Sequence, residues 1–143
     1  MRRGYAWLVP LAAIIVMTVA VLSSCSNPRS NRTIVEVFYL PHAPAEEVVN
    51  RIKAMVAKRK DVELRKYSFD DPATAALAKS YKIEGHMPVA VFIDGRDTYE
   101  VNGKKIVFIN FPTDSSFAPT GFTGNWSYAD IQKVLNKRSA VTK

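Results

Sequence analysis

The stretch Thr33-Ile34-Val35-Glu36-Val37-Phe38-Tyr39-Leu40 is β-branched and aromatic with a single charge, the composition of a strand buried on both faces. Pro41 and Pro44 end it. From Ala45 onward Val48, Ile52, Met55 and Val56 fall at helical spacing. Glu46 and Glu47 lie in the first turn of that helix and Lys58, Arg59 and Lys60 in its last, which matches the helix dipole at both ends. Residues 62–68 alternate Val62 and Leu64 with Glu63 and Arg65, the pattern of a half-buried strand. Asp71 and Pro72 supply an N-cap and a first-turn proline for a helix running to about Tyr81. Residues 89–93 form another apolar strand, closed by Asp94-Gly95. Asn102-Gly103 is a hairpin signal, and residues 105–111 make the strand after it. A loop of roughly fifteen residues, long for a connection, leads to Ser127. Ser127 and Asp130 have capping-box spacing, and Tyr128, Ile131, Val134 and Leu135 give the buried stripe of a last helix. The order β-α-β-α-β-β-α predicts an α/β sandwich, a mixed central sheet of about four strands flanked by helices.

Toward the N-terminus, Arg2 and Arg3 precede an apolar run over residues 6–22 and the small-residue site Leu22-Ser23-Ser24-Cys25. This is the layout of a secretory signal over residues 1–24. The alternative is an uncleaved anchor: the 17 residues from 6 to 22 lie at the lower edge of a bilayer span, with Pro10 among them. Either way the positive charge at Arg2 and Arg3 places the rest of the chain outside the cytoplasm. Residues 25–32 then read as an attachment point and tether, because residues 26–32 contain nothing apolar. Residues 33–143 read as one domain. Beyond residue 24 the chain carries 18 Lys and Arg against 13 Asp and Glu, a net +5. No basic run alternates with aromatics, which argues against nucleic acid and suits an envelope protein beside anionic lipid or polymer.

Leu22-Ser23-Ser24-Cys25 resembles the lipobox of bacterial lipoproteins. The resemblance implies that Cys25 becomes the lipidated first residue of the mature chain, held on a membrane of the cell envelope by acyl chains of palmitate type. Stable attachment by such chains needs two or more of them. Ser26, in place of an aspartate, is what outer-membrane sorting tolerates in double-membraned bacteria. Cys25 is also the only cysteine, so lipidation leaves no free thiol.

Two further segments resemble the thioredoxin-like superfamily. Val37-Phe38-Tyr39-Leu40-Pro41-His42-Ala43-Pro44-Ala45-Glu46 is similar to the segment in which Phe-Tyr-x-Pro-x precedes Cys-Pro-x-Cys. Tyr81-Lys82-Ile83-Glu84-Gly85-His86-Met87-Pro88-Val89-Ala90-Val91-Phe92-Ile93-Asp94-Gly95 is similar to the stretch leading through a cis-proline into a strand and turn. The resemblance implies a thioredoxin-like sandwich, with Pro88 preceded by a cis peptide bond. It covers residues 33–94 well, the last helix less closely, and departs between Gly95 and Trp126. Ala43 and Glu46 stand where the two redox cysteines would be. A dithiol couple needs two sulfurs within bonding reach, so thiol–disulfide exchange is not expected.

The fold implied by this resemblance brings the loop before the first helix to the cis-proline loop. In the superfamily, the residue before that proline pairs with an extended peptide of a partner, as in strand addition. Here it is Met87, an adaptable apolar contact. Met87, Pro88 and His42, with the loop aromatics Phe117, Phe122 and Trp126, are therefore candidate partner-binding residues, the partner being an envelope protein. The competing expectation for the aromatics is that they pack beneath their own loop. The same geometry gathers His42, Glu46 and His86, a His₂-carboxylate set that would suit a transition metal, with Met87 leaning toward copper(I). A metal-binding protein or metal-dependent oxidoreductase is thus the alternative function, although no ligand spacing motif is present and no cofactor is otherwise expected. Ser115 and Ser116 lack a nucleophile elbow, and the chain has no phosphate-cradling glycine loop. Nothing here forms a catalytic signature.

Overall fold

A computed structural model describes residues 32–85 and 87–141. The expected signal segment over residues 1–24, Cys25 and the residues read as a tether, up to residue 31, lie outside the described residues, as does His86. The elements follow in the order β1 (Thr33–Tyr39), α1 (Ala43–Val56), β2 (Val62–Ser68), α2 (Pro72–Ser80), β3 (Val89–Ile93), β4 (Thr98–Val101), β5 (Lys104–Val107) and α3 (Tyr128–Val141). β1 is the central strand of a mixed sheet ordered β2-β1-β3. It runs parallel to β2 from Thr33 opposite Val62 to Tyr39 opposite Ser68. It runs antiparallel to β3 from Val35 opposite Ile93 to Tyr39 opposite Val89.

Alternation along β1 divides its side chains between two cores. Val35 and Val37 join Val89, Val91 and Ile93 beneath Val48, Ile52 and Val56 of α1 and Ile131 and Leu135 of α3. Phe38 joins Ala90 and Phe92 on the opposite face, packed with Ala78, Leu77 and Tyr81 at the α2 end. Pro44 sits in the first turn of α1, where its missing N–H costs no helical bond. α2 begins as its sequence dictates: the Asp71 carboxylate accepts from the Ala73 N–H at 2.9 Å and Pro72 opens the helix. α3 is secured by a reciprocal capping box. Ser127 Oγ accepts from the Asp130 N–H, and the Asp130 carboxylate accepts from the Ser127 N–H at 2.9 Å.

The expected fourth strand over residues 105–111 is divided in two. Asn102 and Gly103 both have positive φ, 53° and 74°, so they close a two-residue hairpin whose twist matches that of its strands. That turn pairs β5 with β4, from Val101 opposite Lys104 to Thr98 opposite Val107. Only the remainder of the segment reaches the main sheet. The Val91 N–H donates to Phe108 O and the Asn110 N–H to Val89 O, each at 2.8 Å. The hairpin thus takes the first half of the segment, and β3 takes the second.

The long loop before α3 is fixed by its own side chains. Trp126 is fully buried, and its indole N–H donates to Ile109 O at 3.1 Å and Asn110 O at 3.2 Å. Asn125 accepts from the Val107 N–H and donates to Lys105 O, so its amide covers the outer edge of β5. The Gly124 N–H bonds to Phe111 O at 2.7 Å. A Cβ at Gly124 would lie 2.2 Å from Ile109 O and 2.8 Å from the Trp126 ring, so only glycine lets the loop approach closely enough for the indole to reach its acceptors. Gly124→Ala is expected to lower stability by about 1–3 kcal/mol. The reading is a reduced urea midpoint with an unchanged denaturant slope.

Candidate functional site

The C-terminal end of β1 and the start of β3 meet at one end of the sheet. The Leu40 N–H donates to Pro88 O at 3.0 Å, extending the antiparallel ladder one step beyond Tyr39 and Val89. The Phe69 N–H donates to Tyr39 O and draws the end of β2 to the same place. The Asn110 N–H, bonded to Val89 O, places the stem of the long loop there as well. The sequence reading that juxtaposes the pre-α1 loop with the Met87-Pro88 loop therefore corresponds to direct backbone contact.

Around that contact Pro41, His42 and Ala43 are exposed, and Met87 is half-buried against the aromatic core. His42 is the N-cap residue of α1, with extended backbone and no side-chain cap. Its carbonyl accepts from the Ala45 and Glu46 N–H groups. Glu46 is exposed in the first turn, where its charge complements the helix N-terminus. Among the described residues neither the imidazole nor this carboxylate makes a hydrogen bond that would orient it as an acid or base. No three His, Cys, Asp or Glu residues gather as a metal site among the described residues. The set His42, Glu46 and His86 is not placed, since His86 lies outside them.

Two expectations are corrected. No peptide bond is cis among the described residues, so Met87–Pro88 is trans, the isomer that X–Pro amides favour by about 0.5–1 kcal/mol. The ladder bond to Pro88 O is made with that isomer. Trp126, a candidate for partner contact, lies in the core with both indole acceptors internal. It offers no surface, because the loop buries its own aromatic residue. Phe122 is half-buried against the same core, whereas Phe117 is 61% exposed.

Beneath this end of the sheet lies a group that pattern reading treats as one charge in an apolar strand. Glu36 is only 5% exposed. The Tyr81 hydroxyl donates a short hydrogen bond to its carboxylate, and the Tyr67 hydroxyl approaches the other oxygen at 3.5 Å. Arg65 is its cross-strand neighbour on β2 but commits its own guanidinium to Glu63 at 2.8 Å. Phe38 packs against Tyr67 and Tyr81, with ring centroids 4.9 and 5.2 Å away, and Phe92 meets Tyr81 edge-on at 4.6 Å. An isolated carboxylate in that setting would cost several kcal/mol, so the tyrosine hydroxyls are what make it tolerable. The legible signal was a lone Glu in step with Phe38 on one face of a doubly buried strand. Its partners come from β2 and the end of α2, which spacing alone does not join.

The chain matches no family model, no curated protein and no solved structure.

Burial and the Glu36 carboxylate push the Tyr81 phenol up to about 12, and burial does the same for Tyr128. The folded state therefore holds these protons more tightly than the unfolded chain, whose phenols titrate near 10. Their contribution is complete below pH 10 and is lost as pH rises through about 12. Melting temperature is expected to fall across that window, and less steeply in Tyr81→Phe and Tyr128→Phe. At neutral pH Tyr81→Phe is expected to cost about 1–3 kcal/mol, because it strips a buried carboxylate of its donor. Glu36→Gln, which keeps an acceptor, is expected to be milder.

Proposed function

We propose that the chain is an envelope-anchored lipoprotein whose thioredoxin-like domain binds a protein partner and performs no thiol–disulfide exchange. The fold reading is supported by a mixed sheet ordered β2-β1-β3 with one parallel pair and by the return of residues 108–110 beside β3. Absence of exchange follows from one cysteine in the whole chain, with Ala43 and Glu46 at the positions the resemblance assigns to the redox pair.

The observation that carries the binding role is the backbone at Met87. Leu40 and Pro88 use each other, and the Leu40 carbonyl accepts from the His42 N–H. Met87 makes no backbone hydrogen bond among the described residues. An extended segment would pair with its N–H and C=O, as in strand addition, which draws affinity from main-chain bonds and selectivity from neighbouring side chains. The trans bond changes how that backbone is presented but not its availability. The thioether of Met87 and the exposed Pro41-His42-Ala43 edge supply an adaptable apolar contact beside it.

A photo-crosslinking residue at His42 of the membrane-anchored chain, activated in intact cells, is expected to give one discrete adduct with an envelope protein. Met87→Ala should reduce that adduct about fivefold or more, the loss of roughly 1 kcal/mol or above. Lys79→Ala, on the exposed face of α2, should leave it unchanged. An adduct indifferent to Met87, or none from a correctly anchored protein, rejects the reading.

A further inference from the structure

The end of the domain opposite Met87 is where the chain enters from the tether, and three elements converge there. The Thr33 N–H, at the start of β1, donates to Asp61 O at 2.8 Å in the turn between α1 and β2. Arg59 of that turn binds the Asp61 carboxylate at 2.7 Å and reaches across to Asn136 Oδ1 at 2.8 Å and Ser139 Oγ at 2.7 Å in the last turns of α3. The Asp94 carboxylate, at the turn after β3, accepts from the Ile34 N–H at 2.7 Å and pairs with Arg138 of α3.

These contacts sort the charges of this end. Asp61 and Asp94 are each held by an arginine of the domain. Asp97, half-buried at the start of β4, accepts from the Thr98 hydroxyl. Arg32, Lys58, Lys60, Arg96 and Lys137 remain exposed around them, and Lys58, Lys60 and Lys137 make no ion pair among the described residues. The C-termini of α1 and α3 contribute only about half a negative charge each, far less than five cations.

The opposite end has the reverse character. Glu46 and Glu47 begin α1, and Asp70 and Asp71 begin α2. Residues 40–47, 68–76, 87–88 and 108–128 contain no lysine or arginine; the nearest cations are Arg51, which lies over the Tyr128 ring at 4.3 Å beside Glu47, and Lys66, opposite Val37. The exposed charge is therefore biased along the axis of the sheet, basic where the tether enters and more acidic around the Met87 end.

From these observations we infer that the basic, tether-proximal end is a docking face for an anionic lipid surface, holding the domain upright with the Met87 end directed away from the membrane. The inference rests on the anchored reading for how the face is delivered. From Cys25 to Arg32 the chain spans seven residue steps, at most about 25 Å, so the first surface this end meets is the membrane of its own anchor. Anionic lipid attracts basic residues held near it and repels the carboxylates at the far end, and each basic residue strengthens such docking about fivefold. Lipid is favoured over a soluble polyanion because the face lies at the end where the tether enters.

The full chain is reconstituted with vesicles of neutral phosphatidylcholine or of phosphatidylcholine containing phosphatidylglycerol, and lysine acetylation is followed residue by residue. Lys58, Lys60 and Lys137 are expected to be protected about threefold or more on anionic relative to neutral vesicles, with protection lost in about 0.5 M salt, where screening is strong. Lys79, on α2, should react equally on both. In the variant Lys58→Gln, Lys60→Gln, Lys137→Gln, the amide hydrogens of residues 57–61 and 136–140 should exchange equally on the two vesicle types. In the native chain they should exchange more slowly on the anionic one. Equal lysine labelling on both vesicles, protection that survives salt, or stronger protection by free heparin than by anionic vesicles would overturn the inference. Flotation with neutral vesicles reads the lipid anchor separately: a chain that fails to float there rejects the anchor, while lysine protection still decides the face.

Discussion

Everything in this domain depends on β1 being enclosed on both faces and both edges. A central strand exposes no edge to solvent, so its backbone groups are satisfied by β2 on one side and β3 on the other. Its side chains then need cover above and below, which a sheet of this size obtains only from helices. α1 and α3 close the valine face, and α2 closes the phenylalanine face. The connections follow from that demand. A parallel β1–β2 pair requires a crossover, and α1 is the crossover. An antiparallel β1–β3 pair requires the chain to return to the end at which β1 finishes, which brings Met87 and Pro88 beside Leu40.

The same enclosure sets the cost of Glu36. A strand sealed on both faces offers a carboxylate no water, so its charge must be met by donors from neighbouring elements. Tyr67 reaches it from β2 and Tyr81 from the residue that caps α2. The two hydroxyls therefore tie the sheet to the end of α2 through a polar contact inside an aromatic cluster. Such a contact is directional where the surrounding packing is not, and it fixes one arrangement of α2 on the sheet. Arg65 is close enough to contribute charge but is engaged by Glu63 at the surface, so the tyrosines carry the hydrogen bonding.

How much of this was legible depends on whether the signal was local. β2 and β3 coincide with their sequence boundaries because alternation in one and unbroken apolarity in the other are properties of the segments themselves. Asp71-Pro72, Ser127 with Asp130, and Asn102-Gly103 were legible for the same reason: caps and turns are satisfied within four residues. What escaped was set by partners distant in sequence. Residues 105–111 have strand composition throughout, yet the two halves pair with different neighbours, and composition does not record which. Trp126 reads equally as a surface aromatic or a core one until Ile109 and Asn110 are found to present two carbonyls to its indole. Glu36 was visible as a charge but not as a site, since Tyr81 lies 45 residues away. The cis bond implied at Pro88 came from family resemblance, and the chain's own ladder is completed by the trans isomer.

The two ends of the sheet present different charges to their surroundings, and the proposed anchored arrangement would suit both. At one end the Asp61 and Asp94 carboxylates are paired with Arg59 and Arg138, leaving exposed lysines that an anionic surface would attract. At the other end Met87 lies near the acidic starts of α1 and α2, a setting that an anionic bilayer would repel. In that proposed arrangement a partner using Met87 would approach from the aqueous side, as an extended segment without strong negative charge. Docking and recognition would then be coupled through orientation alone. On the proposed anchor, a domain free to tumble would present the Met87 edge only part of the time, whereas a docked one would present it continuously. The gain in effective concentration would then come from pre-organisation and require no conformational change within the fold.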